Sequence, residues 1–265
     1  MFPRLTDFTR RHKTALSRTL AFALALLFWQ VAAMAVGEQV LLASPLSVLL
    51  SLLSILSTPA TFTVLLTSAA RILLGFGLGL LLGTALALLS SHVKLAETLL
   101  FPYMVTIRSI PVASFIVVAW VWLDGAALSG FISFLIVLPI VYNNLLVGLS
   151  ARSRALDEMA STYRIPFSRR LLYILRPQLG PALLSAAETG VGLAWKSGIA
   201  AEVIAMASGT IGENIYNNKV WLNTPALFAW TVVIVLASLA CEKLILFALR
   251  MLLGEGRSRC KKSSS

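Results

Sequence analysis

Glu188, Lys196 and Glu202 stand in an apolar run, about Leu179 to Met206, that is long enough to cross a bilayer. Charges are costly in hydrocarbon, so each needs a polar partner or a water-filled path to face. At about 100 degrees per residue, Glu188, Gly192, Trp195, Ile199 and Glu202 fall on one side of a helix, with Lys196 at its border. That pattern suggests passage rather than catalysis. Glu188 and Glu202 are separated by about 21 Å along the axis, too far to pair but fit to mark two depths of one aqueous path. Small Gly192 beside bulky Trp195 would form a constriction in it. The alternative is that these charges satisfy one another, or Arg71 and Arg108 from neighbouring helices, and hold the bundle together.

Other chemistries find little support. The two histidines, His12 and His92, sit at the edges of apolar runs without metal-ligand company, so neither a metal site nor a catalytic constellation emerges. Cys241 lies inside an apolar run and Cys260 in a basic tail, which is neither a disulfide framework nor ligand spacing. No G-x-x-x-x-G-K-[ST] phosphate loop occurs in the sequence.

A second concentration of charge lies in LDEMASTYRIPFSRRLLYILRP, Leu156 to Pro177, with two adjacent carboxylates and several arginines. Asp157 and Glu158 suit the start of a helix, and Pro166 disfavours helical geometry at Ile165. FSRRLLYIL then makes a basic amphipathic helix, so the stretch is expected to be two short helices around a turn.

The elements that carry these residues follow from composition. With 58% hydrophobic and 12% charged residues, the chain has about half the charge density of an ordinary soluble domain, so it belongs in a bilayer. The formal charge of +11 is scattered between apolar runs rather than along one face, which argues for membrane topology and against nucleic acid. The expected fold is an all-α integral membrane domain of about six helices. Residues 19–252 form it, with the charged loop at 151–177, between a basic leader at 1–18 and a basic tail at 253–265.

The first span, about Thr19 to Val36, resembles a signal peptide and AMA at Ala33 to Ala35 resembles a cleavage site; its length and the spans that follow favour a retained helix. SPLSVLLSLLSILS is too short to cross: Ser44 can cap a helix with Pro45 at its first position, and the segment should lie along the outer surface. A long helix over about Thr61 to Ser90 places Gly75, Gly79 and Gly83 on one face, where backbones can approach closely. The span from about Leu99 to Trp122 is interrupted by Pro102, Arg108 and Pro111 and is expected to kink. Spans at about Ala126 to Leu149, Leu179 to Met206 and Pro225 to Leu249 complete the six. Lysine and arginine cluster before the first span, between Arg152 and Arg176, and after Arg250, and Lys219 alone breaks the pattern in the outer loops. Both termini and the charged loop should therefore be cytoplasmic.

Within the loop, Glu158, Ala160, Ile174 and Pro177 fall in the register of the cytoplasmic signature loop of ABC importer permeases, where Glu-Ala-Ala is followed by glycine and then Ile-x-Leu-Pro. Met159 stands for the first alanine, Arg164 for the glycine and Arg176 for the leucine, and Pro166 is expected to help supply the turn. SPLSVL, RILLGFGLGLLLG, RSIPVAS and GLAWKSGIAAEV extend the resemblance over about residues 44 to 206, to the nitrate, sulfonate and taurine branch of these permeases.

The resemblance implies a type I importer: two permease copies, expected as a homodimer, around a central path, two ATPase subunits that bind ATP and Mg, and an extracytoplasmic solute-binding protein, all at the bacterial inner membrane. It implies that Asp157, Glu158, Ala160, Tyr163, Arg164, Ile165 and Pro166 couple the ATPase to the membrane helices. Tyr163 and Ile165 supply an apolar anchor, and Glu158 and Arg164 can pair with charges on a partner. The path would then run past Arg108, Glu188, Gly192, Trp195, Lys196, Ile199 and Glu202. This chain would hold no cofactor and catalyse no reaction. An importer of a vitamin or vitamin precursor differs only in cargo. An ion-driven secondary transporter would leave the charged loop unexplained, and the sequence shows no internal repeat of the inverted kind found in such transporters.

Overall fold

The computed structural model describes residues 4–253, apart from the side chains of residues 4–18 and of Arg154, Asp157, Phe167 and Leu171. The basic tail set apart by the sequence lies outside these residues save Leu253. Every element among them is helical: α1 Arg4–Val36, α2 Pro45–Ser57, α3 Pro59–His92, α4 Lys94–Ser109, α5 Val112–Trp120, α6 Gly125–Ser150, α7 Arg154–Thr162, α8 Phe167–Arg170, a π-helical segment Leu171–Leu175, α9 Arg176–Ala205, α10 Ile211–Val220 and α11 Thr224–Leu253.

Among the described residues, four helical stretches are long and apolar enough to cross a membrane: Thr19–Val36 in α1, α3, α6 and α11. The pair α4 and α5 qualifies only together and bends by 98° between the two helices. Its cause is local. Ile110 takes the extended geometry (φ −77, ψ 133) that a residue before proline prefers, and Pro111 then begins a new helix direction. Pro102 stays inside α4. Against the expected six, length and composition thus yield four, or five with the bent pair. The remaining candidate, α9, has 30 residues but carries Glu188, Lys196 and Glu202.

The described residues form two compact units, 4–61 with 214–233, and 62–213 with 234–253. In the first, Ser44 caps α2 by accepting from the Ser47 amide at 3.2 Å, with Pro45 in the first turn, where a missing N–H costs nothing. Ala43, Val48 and Ala229 are buried together there, flanked by Trp29 and Phe228, and the Trp29 indole donates to the Ala43 carbonyl at 3.1 Å.

In the second unit α3 and α9 both pack against α6. A Cβ added at Gly79 would lie 2.9 Å from Val137 Cβ, and one at Gly83 2.9 Å from the Leu138 carbonyl oxygen; at Gly75 it would run into the Gly130 carbonyl. Only hydrogen fits at these positions. Gly198 on α9 likewise sits against Ile72 and Ser133, and Ser133 donates across to the Ala194 carbonyl at 3.1 Å. Ile116, Leu128, Ile132 and Ala201 form an apolar core among α5, α6 and α9.

Candidate functional site

The charged loop is built as a short helix closed by a tight turn. At the end of α7, the Ile165 amide donates to the Ala160 carbonyl at 3.0 Å and the Arg164 amide to the Ser161 carbonyl at 3.1 Å. These are the two bonds of a Schellman ending, which places Arg164 at the left-handed position, φ 48. Glycine usually occupies that position. The turn is thus of the glycine type although arginine occupies it, and Pro166 follows it rather than forming it. Ser161 and Thr162 donate back to the Glu158 carbonyl at 2.7 and 2.9 Å, and the Ser153 amide donates to Gln178 Oε1 at 3.1 Å, which ties the two feet of the loop together.

The resulting knob presents Glu158, Tyr163, Arg164 and Pro166 outward, Tyr163 being 77% exposed, while Ala160 is buried and Ile165 half-buried. Asp157 lies in α7, its side chain outside the described ones. The expected second amphipathic helix is α8, which runs through the π segment directly into α9. Pro177 has no N–H for the Tyr173 carbonyl and its ring would clash with it in a regular α-helix. The chain widens to π geometry at that point.

The expected single face of α9 divides. Glu188 and Lys196 are exposed and Gly192 is half-buried with open space around it. Trp195, Ile199 and Glu202 are buried within the chain. The spacing i, i+4, i+7 that suggested a path is also that of a helix-packing seam, and toward the end of α9 the seam turns into the bundle.

Glu202 has its own setting. Its Oε2 accepts from Ser68 Oγ at 2.8 Å and from the Gly212 amide at 3.3 Å, and Ser68 Oγ accepts from the Ile211 amide at 3.0 Å. Arg71 and Ser129 lie beside the carboxylate. The first amides of α10 are therefore satisfied by residues from α3 and α9, as an N-terminus favours a negative charge. Thr210 and Glu213 add a local cap: the Glu213 amide donates to Thr210 Oγ1 at 3.2 Å and Glu213 Oε2 accepts from the Gly209 amide at 2.6 Å.

Arg108 closes α4, where a cation complements the helix C-terminus. It opens onto a groove of about 420 Å³ with Asn143 and Asn144 of α6 and Thr189 and Leu193 of α9. The structure thus brings Arg108 to residues that alternate with Glu188 and Gly192 along the exposed part of α9. The guanidinium and the Thr189 hydroxyl offer donors suited to an anionic group, joined by the second N–H of each asparagine amide, the first being given to the Pro139 and Ile140 carbonyls. Asn143, Asn144 and Thr189 were absent from the sequence-based site. Their signal is faint but present: two adjacent amides inside an otherwise apolar span.

Residues 75–253 match the family described as binding-protein-dependent transport system inner membrane component. The chain belongs to that family. It is 29% identical over 192 residues to the formylaminopyrimidine transport permease protein ThiX of Halalkalibacterium halodurans, covering 70% of this chain and 74% of that one. Over 214 residues it is 24% identical to the putative aliphatic sulfonates transport permease protein SsuC of Bacillus subtilis, covering 80% and 77%. A probable ABC transporter permease protein of Brucella melitensis is 28% identical over 236 residues, 88% of this chain and 94% of that one. The chain is accordingly an ABC transporter permease, a multi-pass transport subunit of the inner membrane.

Proposed function

We propose that this permease is the membrane subunit of a type I importer, with six spans, both termini and the 156–177 loop cytoplasmic, and two copies around one path. Each copy receives one of two ATPase subunits on the knob at the end of α7. The ATPases bind ATP and Mg, and a solute-binding protein delivers cargo from outside. The observation that carries this is the knob itself: a stiff, solvent-facing turn with Tyr163 at its tip, in the register of the importer signature, fixed at its base by Ser153 and Gln178. Because α8 and the π segment lead without a break into α9, a push on the knob is passed to the helix that carries Glu188 and Lys196.

The groove at Arg108 favours a small anion as cargo, and a sulfonate fits both that chemistry and one of the relatives. Transport of a formylaminopyrimidine, for which the ThiX relative is named, would not call on the guanidinium as an anion partner. The test uses Glu158→Lys and Tyr163→Ala in reconstituted vesicles. Both variants are expected to keep the helices folded while losing co-purified ATPase and uptake-coupled hydrolysis. Unchanged coupling in both would sink the assignment.

A further inference from the structure

In the second unit the last turns of α3, α6 and α11 and the first turns of α9 meet around a cavity of about 570 Å³. Its walls are hydrocarbon, chiefly Leu88, Leu145, Leu172 and Leu179, with Ser168 and Arg176 as its polar end. No carboxylate lines it among the described residues. Arg176 donates to the Leu252 carbonyl at the end of α11, which engages one of its five N–H groups and leaves others for a ligand. Leu172 belongs to the π segment, a geometry that frequently marks functional positions.

The shape selects the occupant. A helix about 10 Å across would fill this volume in little more than one turn, so the space suits a thinner apolar chain. The charge selects its head, because Arg176 shares a basic stretch of sequence with Arg169 and Arg170 and such a stretch attracts an anion at a membrane surface. We propose that this groove holds an acyl chain of an anionic phospholipid, with its phosphate against Arg176 and Ser168. Such a lipid would lie against the segment that joins the knob to α9, a role beyond the transport assignment and independent of which cargo moves.

The test is native mass spectrometry of the full-length chain released from nanodiscs of equal phosphatidylglycerol and phosphatidylcholine. A retained phosphatidylglycerol is expected at roughly 10-fold preference, the scale of one charge-assisted hydrogen bond. Arg176→Gln should reduce that preference toward unity. Because Arg176 also caps α11, a second variant fills the groove without touching charge: Leu172→Trp should abolish retention while leaving Arg176 in place. Equal retention of the two lipids by the natural sequence overturns the proposal. So does phosphatidylglycerol retention that survives Leu172→Trp, or a groove found closed by a second copy with no lipid bound.

Discussion

At the scale of single residues, Glu202 shows what a buried charge in a membrane protein can be for. The sequence marks it as exceptional because a carboxylate sits among AWKSGIAAEVIA, and that much is legible. Its task is not, because Ser68 is 134 residues away and nothing in the local pattern points to it. In the structure the carboxylate collects the Ser68 hydroxyl and the Gly212 amide, with Arg71 beside it. Replacing it with alanine would leave those donors without an acceptor and a cation without a counter-charge. Glu202→Ala should lower stability by about 2–3 kcal/mol, the scale of losing hydrogen bonds to a buried charged group. Glu202→Gln keeps an acceptor for both donors and should lose clearly less. Thermal unfolding of the detergent-solubilised protein separates the two, and equal effects would mean that the charge, not the acceptor geometry, is what matters. Arg164 makes the converse case. Its left-handed backbone is held by the Schellman bonds at a cost of about 1 kcal/mol that glycine would not incur. Arg164→Gly should therefore protect the turn further in hydrogen exchange; if coupling falls despite the firmer turn, the guanidinium itself contacts the ATPase.

At the scale of elements, hydropathy and local chemistry go far. The cap at Ser44 and the break before Pro111 each follow from a residue whose local preference overrides its neighbours, so they are readable one position at a time; the turn after Tyr163 is not, because arginine stands where glycine is usual. The glycines at 75, 79 and 83 are readable as a face, though the partner helix is not. Three further features resist such reading. Helix α10 balances apolar and polar residues and carries no strong period, so it passes for a loop. The start of α9 lies at Arg176 rather than Leu179, because the π widening before it accommodates Pro177. The inner face of α9 is indistinguishable from a path-lining one, since protein and lipid surroundings both select apolar side chains and only packing decides between them. The close approach of α3 to α6 gives a sharp comparison. Gly79→Val would drive a branched side chain into Val137 and should cost about 1–3 kcal/mol. Gly77, where a Cβ meets nothing within 4 Å, should accept alanine with no loss of stability. If both substitutions destabilise alike in thermal unfolding, the glycines serve helix flexibility rather than contact.

At the scale of the whole molecule, the arrangement of polar groups decides where cargo could pass. Among the described residues, the polar groups of α9 outside the bundle form an exposed strip. Along α9 that strip holds Glu188, Thr189, Leu193 and Lys196, with Gly192 at its edge, and Arg108 with Asn143 and Asn144 faces it across the groove. Exposed charge on a spanning helix is tolerable only if a second surface shields it from lipid, and a second copy meeting the first along this strip would do so by symmetry. In the two-copy arrangement we propose, the path would be made by both copies, and cargo would pass Arg108 and Lys196 of each. Single cysteines in a background without Cys241 and Cys260 test this. At Thr189 and Leu193 they should react with a water-soluble thiol reagent, with the rate changing when ATP is added to the assembled transporter, and Leu193→Cys should cross-link two copies under mild oxidation. At Ser197 and Ile199, both buried, cysteines should stay unreactive. Labelling confined to Ser197 and Ile199 would move the path to the inner side of α9; protection at all four, without cross-linking, would turn this strip toward lipid and leave its charges without a function in transport.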